Sequence, residues 1–329
     1  MNRKSAIKLN IKKQIEIIPT KPFHFDSTFY KPGHFASTDT KWEPGRRWQT
    51  MLFKGKRLGL VFKDKSVKEK PKVAVEIYSQ KELSDDYINS LKEEIIWRYN
   101  LGLDLSGFYR MAEKDPLLKP IVKKFYGLRP MRAGSLYEYL IIAIMLQNTV
   151  VKRSIYMMQI LFESYGTQVK FDGQSFWSFW EPDKLAKADE QYLRSLKLGY
   201  RAKSVIKASR QFVDRKIQDN LLKTKTAEEL EEILLSLYGI GPASVGYIMF
   251  DVFHKWGYLN HISPWEQKIY SMIFFNKDYE TEIVSVEKML AYFKKWGIWK
   301  NLAIHYVWEN IWWQRRNEQI PWLEKLIRL

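Results

Sequence analysis

LYGIGPASVGYIMFDVFHKWGYLNHISPWEQKIY, residues 237–270, is the stretch on which the reading of this chain turns. Gly239-Ile240-Gly241 separates two apolar helical segments, Ala227–Leu237 and Pro242–Phe253. Proline at the first helical position costs nothing, because the N–H it lacks has no partner there in any helix. A turn of this kind points backbone N–H groups outward at a helix N-terminus, and its glycines let an anion approach the main chain. It reads as a phosphate cradle without a side-chain code, able to hold DNA without reading base sequence. The plainer reading is a glycine-capped turn between two helices. Further along, Ser263-Pro264-Trp265-Glu266 has the form of a capping box, with Ser at N-cap, Pro at N1 and Glu at N3.

Composition narrows the class. The chain has 329 residues, 46% of them hydrophobic and 15% aromatic, enough for one large or two ordinary domains with real cores. Its net charge of +17 suits a polyanionic partner, through phosphate neutralisation and counterion release. An acidic membrane surface would also suit it. There is no cysteine, which excludes disulfides, cysteine zinc sites and cysteine-ligated iron–sulfur clusters. No apolar run approaches the roughly 18 residues that span a bilayer, so no membrane association is expected. MNRKSAIKLNIKKQIEII (residues 1–18) lacks the apolar core of a signal peptide. The expected setting is intracellular: the cytoplasm or nucleoid of a prokaryote, a thermophilic archaeon among them, or the nucleus of a eukaryote.

Residues 1–20 form a basic lead that could be a strand or an arm and is read as a solvated tail. From Pro22 to Ser79 the pattern shortens and alternates. TFYKPGHF carries Pro-Gly punctuation, and Trp48–Phe53, Arg57–Phe62 and Val73–Tyr78 read as strands. Glu82–Tyr99 reads as a helix with Ser84 as its N-cap. After Leu101 the pattern is almost entirely helical, including an apolar helix pair over Leu136–Tyr165. The expected fold class is α+β: a basic segment (residues 1–20), a small mixed β lobe (21–100) and an all-α helix-hairpin-helix domain (101–329).

Five motifs in order resemble the helix-hairpin-helix DNA glycosylase superfamily, most nearly its 3-methyladenine or alkylpurine branch. They are DLSGFYRMAEKDPLLKPIVKKFYGLRP (104–130), AIMLQNTVVKRS (143–154), LKLGYRAKSVIKAS (196–209), LYGIGPASVGYI (237–248) and YFKKWGIWKNLAIHYVWENIWWQ (292–314). The resemblance implies duplex DNA carrying damaged bases as the partner, a monomer, and a base flipped out of the stack before its glycosidic bond is cut. It implies phosphate contacts from Gly239, Ile240, Gly241 and Ser244. It places Gln147 and Asn148 where the family inserts a side chain into the vacated stack, and Trp308 where the alkylation branch stacks on the flipped base. Satisfying backbone at a helix junction, and ordinary core packing, are the plainer readings of those residues.

The family's bifunctional members carry a lysine nucleophile two residues beyond the second hairpin glycine; here that position is Ala243, so no Schiff base of that kind is expected. The family's catalytic aspartate falls, in the register of the alkylation branch, on Ser263. Three readings stay open: Glu266 one turn in supplies the carboxylate, a cationic lesion leaves without one, or Ser263 and Glu266 only cap the helix. His261 and His305 have no metal-ligand spacing, and no metal is expected. No cofactor is expected either, apart from a monovalent cation that hairpin carbonyls hold in the family. The implied function is base-excision repair by a monofunctional DNA glycosylase acting on alkylated purines. The alternatives are an 8-oxoguanine-type glycosylase and a non-catalytic lesion-binding protein.

Overall fold

Buried strands and capped helices alternate with few long loops in the computed structural model, which describes residues 5–30, 36–68, 70–131, 134–215 and 217–326. The strands are β1 (Ile7–Lys8), β2 (Ile11–Ile17), β3 (Thr40–Glu43), β4 (Arg46–Phe53), β5 (Lys56–Asp64), β6 (Val73–Ser79), β7 (Thr167–Phe171) and β8 (Gln174–Ser178). The helices are α1 (Phe25–Phe29), α2 (Asp85–Arg98), α3 (Ser106–Ala112), α4 (Leu118–Lys124), α5 (Leu136–Leu146), α6 (Val151–Tyr165), α7 (Pro182–Ala186), α8 (Glu190–Leu193), α9 (Arg201–Asp214), α10 (Asp219–Leu222), α11 (Ala227–Leu235), α12 (Pro242–Asp251), α13 (Pro264–Phe275), α14 (Val286–Phe293), α15 (Lys300–Asn317) and α16 (Pro321–Leu326). The fold is α+β, with the sheets largely N-terminal and the helices largely C-terminal. Two units divide the chain: Met1–Asp104 with Tyr126–Ile217, and Leu105–Phe125 with Gln218–Leu329. The span expected as one helical domain, 101–329, is thus shared between them.

The first unit holds a five-stranded antiparallel sheet in the order β2-β6-β5-β4-β3. Both faces are covered, which explains the near-continuous apolar runs of β5 and β6. One face packs Leu58, Leu60, Phe62, Val75 and Ile77 against Phe25, Phe29, Leu91, Ile95 and Tyr99. The other packs Trp48, Val61 and Tyr78 against Val169, Phe171 and Phe176 of a second sheet, β1-β7-β8. Ser84 caps α2 as its sequence position predicts, its side chain accepting from the Tyr87 N–H at 3.3 Å.

Two expectations are corrected here. The basic lead is not a solvated tail. Ile11 to Ile17 pair residue by residue with Ser79 to Val73, because β6 needs a partner and alternate residues of the segment turn inward. Nor is the chain after Leu101 wholly helical. VKFDGQSFW folds into the β7–β8 hairpin around Asp172 (φ 49°) and Gly173 (φ 70°), the left-handed pair that an Asp-Gly turn supplies. Within TFYKPGHF, Lys31–Phe35 lie outside the described residues.

Arg129 ties the segments of the first unit together. Its buried guanidinium donates to the carbonyls of Thr20, Pro22 and Leu103. In the second unit Asp115 has a comparable place. One carboxylate oxygen accepts from the N–H groups of Leu117 and Leu118, the other from Trp296 Nε1 at 2.8 Å and Lys295 Nζ at 2.9 Å. Burial alone would raise this carboxyl, but the hydrogen bonds from Lys295 and Trp296 outweigh it and hold the pKa below its ordinary value. Among the described residues the second unit contains only helices and turns.

At Gly59 the two sheets approach closely. A Cβ there would stand 2.4 Å from the Phe171 ring, itself fully enclosed. Gly59→Ala is therefore expected to destabilise the protein by about 2 kcal/mol, the cost of overpacking a rigid site. Urea unfolding measures it; an unchanged midpoint would show that Phe171 moves aside freely.

Candidate functional site

The second unit carries the hairpin and the start of α13. Thr226 and Glu229 form a capping box that fixes the beginning of α11, and Leu230 and Leu234 bury against the core as Val245, Ile248 and Met249 of α12 do. Between the helices, Gly239 adopts φ 81°, a left-handed conformation that side chains resist. The Ile240 N–H donates to the Leu237 carbonyl at 3.1 Å and the Ile240 side chain is buried. That N–H is spent inside the turn, so Ile240 is an anchor for the hairpin rather than an open donor. Gly241 is the N-cap of α12, with φ −112° and ψ 178°, and no side chain caps this helix end. Ala243 is exposed and Ser244 half-exposed on its first turn.

At the start of α13 the capping box forms as its sequence predicts. Ser263 Oγ accepts from the Glu266 N–H at 3.3 Å, and Glu266 Oε2 accepts from the Ser263 N–H at 2.8 Å. The other Glu266 oxygen lies 3.5 Å from the Tyr270 hydroxyl, which accepts from Trp308 Nε1 at 3.1 Å. Tyr270 is buried, and burial followed by the nearby Glu266 charge pushes its hydroxyl well above the ordinary phenol value. Glu266, Tyr270 and Trp308 thus form a chain that ends on a half-exposed carboxylate.

Trp308 is half-buried within a series of near-parallel indoles. Its indole stacks on Trp265 (5.4 Å, 10°) and also lies near-parallel to Trp312 (5.8 Å, 20°). The outer ring of this series is Trp265, 38% exposed and fixed by a 2.8 Å hydrogen bond from its Nε1 to the Leu326 carbonyl. Nothing in the spacing of α13 and α15 distinguishes the half-buried Trp308 from the exposed Trp265; only packing does. Trp296 is a core residue bonded to Asp115.

The first unit carries the α5–α6 junction. Gln147 is the C-cap of α5 and its carbonyl accepts from the buried Arg201 guanidinium. Asn148 is exposed and held at φ 46°, with its side-chain amide 3.4 Å from the Tyr200 hydroxyl. Ser154 returns a 2.9 Å hydrogen bond to the Met145 carbonyl and closes the junction. Arg201 also lies over the Tyr200 ring at 4.7 Å. Burial lowers the Arg201 pKa, with the charge of Arg153 acting in the same direction. Sequence reasoning quoted the motif LKLGYRAKSVIKAS without singling out Tyr200 and Arg201, whose exposure and burial only the fold reveals. Among the described residues no group of three or more His, Cys, Asp or Glu is placed to hold a metal, and no helix is long and apolar enough to cross a membrane.

The capping geometry carries its own test. Ser263→Ala removes the acceptor for the Glu266 N–H and should cost about 1 kcal/mol of stability. Thermal and urea unfolding would measure it, and a variant as stable as the parent would mean that solvent caps the helix equally well.

Comparison with known proteins follows the same outline. Residues 141–320, more than half of the chain, match the family model described as HhH-GPD superfamily base excision DNA repair protein. The chain is 25% identical over 190 residues to the DNA-3-methyladenine glycosylase of Bacillus subtilis, covering 54% of this chain and 62% of that protein. It is 25% identical over 251 residues to the N-glycosylase/DNA lyase of Saccharomyces cerevisiae, covering 65% of each. The chain therefore spans less than two thirds of either relative. Among solved structures, the 3-methyladenine DNA-glycosylase of Archaeoglobus fulgidus superposes with a TM-score of 0.72 at 18% identity, over 93% of this chain and all of that one. The 8-oxoguanine glycosylase/lyase of Clostridium acetobutylicum, solved with double-stranded DNA containing cytosine opposite 8-oxoguanine, gives 0.67 at 19% identity, over 94% and 99%. These superpositions establish the shared fold, and the family match carries the assignment: the chain belongs to the HhH-GPD superfamily of base excision DNA repair proteins.

Proposed function

We propose that this protein is a monofunctional DNA N-glycosylase that flips alkylated purines from duplex DNA and hydrolyses the bond to the sugar. The observation that carries the DNA-binding part is Gly241. Gly239 is explained by its left-handed backbone, but Gly241 has a φ/ψ open to any residue and nothing within 4 Å of where its Cβ would stand. The chain itself does not require a bare backbone there. A phosphate approaching the uncapped N-terminus of α12 does, with the main-chain N–H groups of Gly241, Ala243 and Ser244 as donors and the Ser244 hydroxyl in addition. Gly241→Ala should unfold like the parent, or slightly later, and bind duplex DNA on the order of tenfold more weakly, the equivalent of about one charge-assisted hydrogen bond. Fluorescence anisotropy with a labelled duplex decides it, and unaltered affinity would leave the hairpin as a turn and no more.

The chemistry rests on Glu266 and on the lesion. Ala243 offers no amine for a covalent intermediate, which favours hydrolysis over a lyase step and weighs against an 8-oxoguanine-type lyase. Glu266 keeps unshared electron pairs on a half-exposed carboxylate held by Ser263 and Tyr270, and can stabilise positive charge growing on the sugar as the base departs. A purine already cationic from alkylation needs the least help, and indole faces attract such rings. Of the indoles near α13, Trp265 presents the open face. A monovalent cation at the hairpin would be held by turn carbonyls; those of Leu237 and Gly241 already accept from Ile240 and Val245, and no step here depends on such an ion.

A second reading, a lesion-binding protein without catalysis, is favoured by one observation: both Glu266 oxygens already serve local structure. Single-turnover base release from duplexes carrying a methylated purine, hypoxanthine or 8-oxoguanine separates the two. The enzyme reading expects release of the methylated purine, at a rate about 100-fold lower in Glu266→Gln. It also expects faster release in Ser263→Asp, since aspartate caps a helix as well as serine and adds a carboxylate. Tight retention of lesion duplex with no base released by the parent would establish the binder instead.

A further inference from the structure

We propose that the first unit carries its own phosphodiester-binding site, built from Arg153, Arg194 and Lys197 beside Tyr156. The inference rests on the DNA-binding reading above and adds a site that no hairpin residue takes part in. The four side chains, with Gly199, line an open cavity of about 410 Å³, within the usual size of small-ligand clefts. All four are exposed, Tyr156 by 49%. Arg194 is tied to Glu190 at 2.8 Å. The Arg153 guanidinium and the Lys197 ammonium have no hydrogen-bond or ion-pair partner among the described residues. Two uncompensated cations and a third half-compensated one around a single cavity, with an open phenol ring at its wall, suit an anion bound to a flat or sugar-like group. A nucleotide of a DNA strand has that composition: the lysine meets phosphate as a point charge, the arginine as a fork, and the ring packs on sugar or base.

The backbone supplies a second, independent argument. Lys197 sits at φ 66°, ψ 22°, inside a widened turn from Arg194 to Leu198 that continues into Gly199 at φ 62°. Glycine would occupy that left-handed position without strain, and lysine does not. A long cation kept where glycine is the cheaper residue points to a role for the charge. Phosphate contacts of this kind carry no sequence information, so the site would add affinity and orientation rather than lesion choice.

The test uses an intact, undamaged duplex, so that loss of catalysis does not bear on it. Anisotropy titrations across a range of salt concentrations compare the parent with Lys197→Gly, Lys197→Arg and Arg153→Gln. Lys197→Gly is expected to melt at or above the parent temperature yet bind roughly fivefold more weakly, with the slope of log K against log salt reduced by about 0.9, the signature of one lost phosphate contact. Arg153→Gln should lower the slope similarly, and Lys197→Arg should bind as the parent does. Parent affinity and slope in Lys197→Gly, while Gly241→Ala loses affinity, would overturn this site and leave the proposed function standing. A parent that binds no duplex at all would overturn both.

Discussion

The reciprocal hydrogen bonds between Ser263 and Glu266 set where α13 begins, and most of what the second unit offers chemically follows from that start. They place Trp265 on the first turn, where its ring can lie on Trp308, and they aim the Glu266 carboxylate one turn down toward Tyr270. The arrangement is ambiguous in an instructive way. One residue meets a structural need and, in the proposed function, also supplies the carboxylate, and the two duties draw on the same oxygens.

The two hairpin glycines show how identical residues can have different physical reasons. Gly239 is required by torsion: the chain turns through a left-handed conformation that a side chain would strain. Gly241 is extended and unobstructed, so nothing in the polypeptide requires its bareness, and the proposed phosphate contact would explain it. The same logic, inverted, applies to Lys197, a bulky residue where glycine would be easier. In both places the mismatch between backbone and side chain is what locates a candidate contact.

What was legible in the sequence was whatever is encoded locally. Ser84 and Ser263 announce helix starts by the spacing of a hydroxyl to the N–H it caps, and α13 begins at Pro264 as read. The hairpin was legible because glycine permits and proline fixes particular backbone conformations within four residues. The partner of β2 was not, because Ile11–Ile17 gains its strand only by meeting β6 more than fifty residues away. The β7–β8 turn did carry its Asp-Gly signal, overshadowed by long helical patterns on either side. Within the site, the inward Ile240 N–H and the indoles against Trp308 depend on packing across elements, which spacing along one helix does not report.

The sheet pairing has a consequence for how the protein is made. β1 lies parallel to β7, with Ile7 opposite Val169, and the sheet they share covers the face bearing Trp48, Val61 and Tyr78. On a ribosome adding about 5–20 residues per second, the strands of the large sheet emerge on the order of ten seconds before the hairpin that covers them. During that interval an apolar surface and an unpaired strand face the cell. The nascent chain is at its most vulnerable to aggregation, or most in need of a chaperone, between the completion of β6 and the arrival of β8.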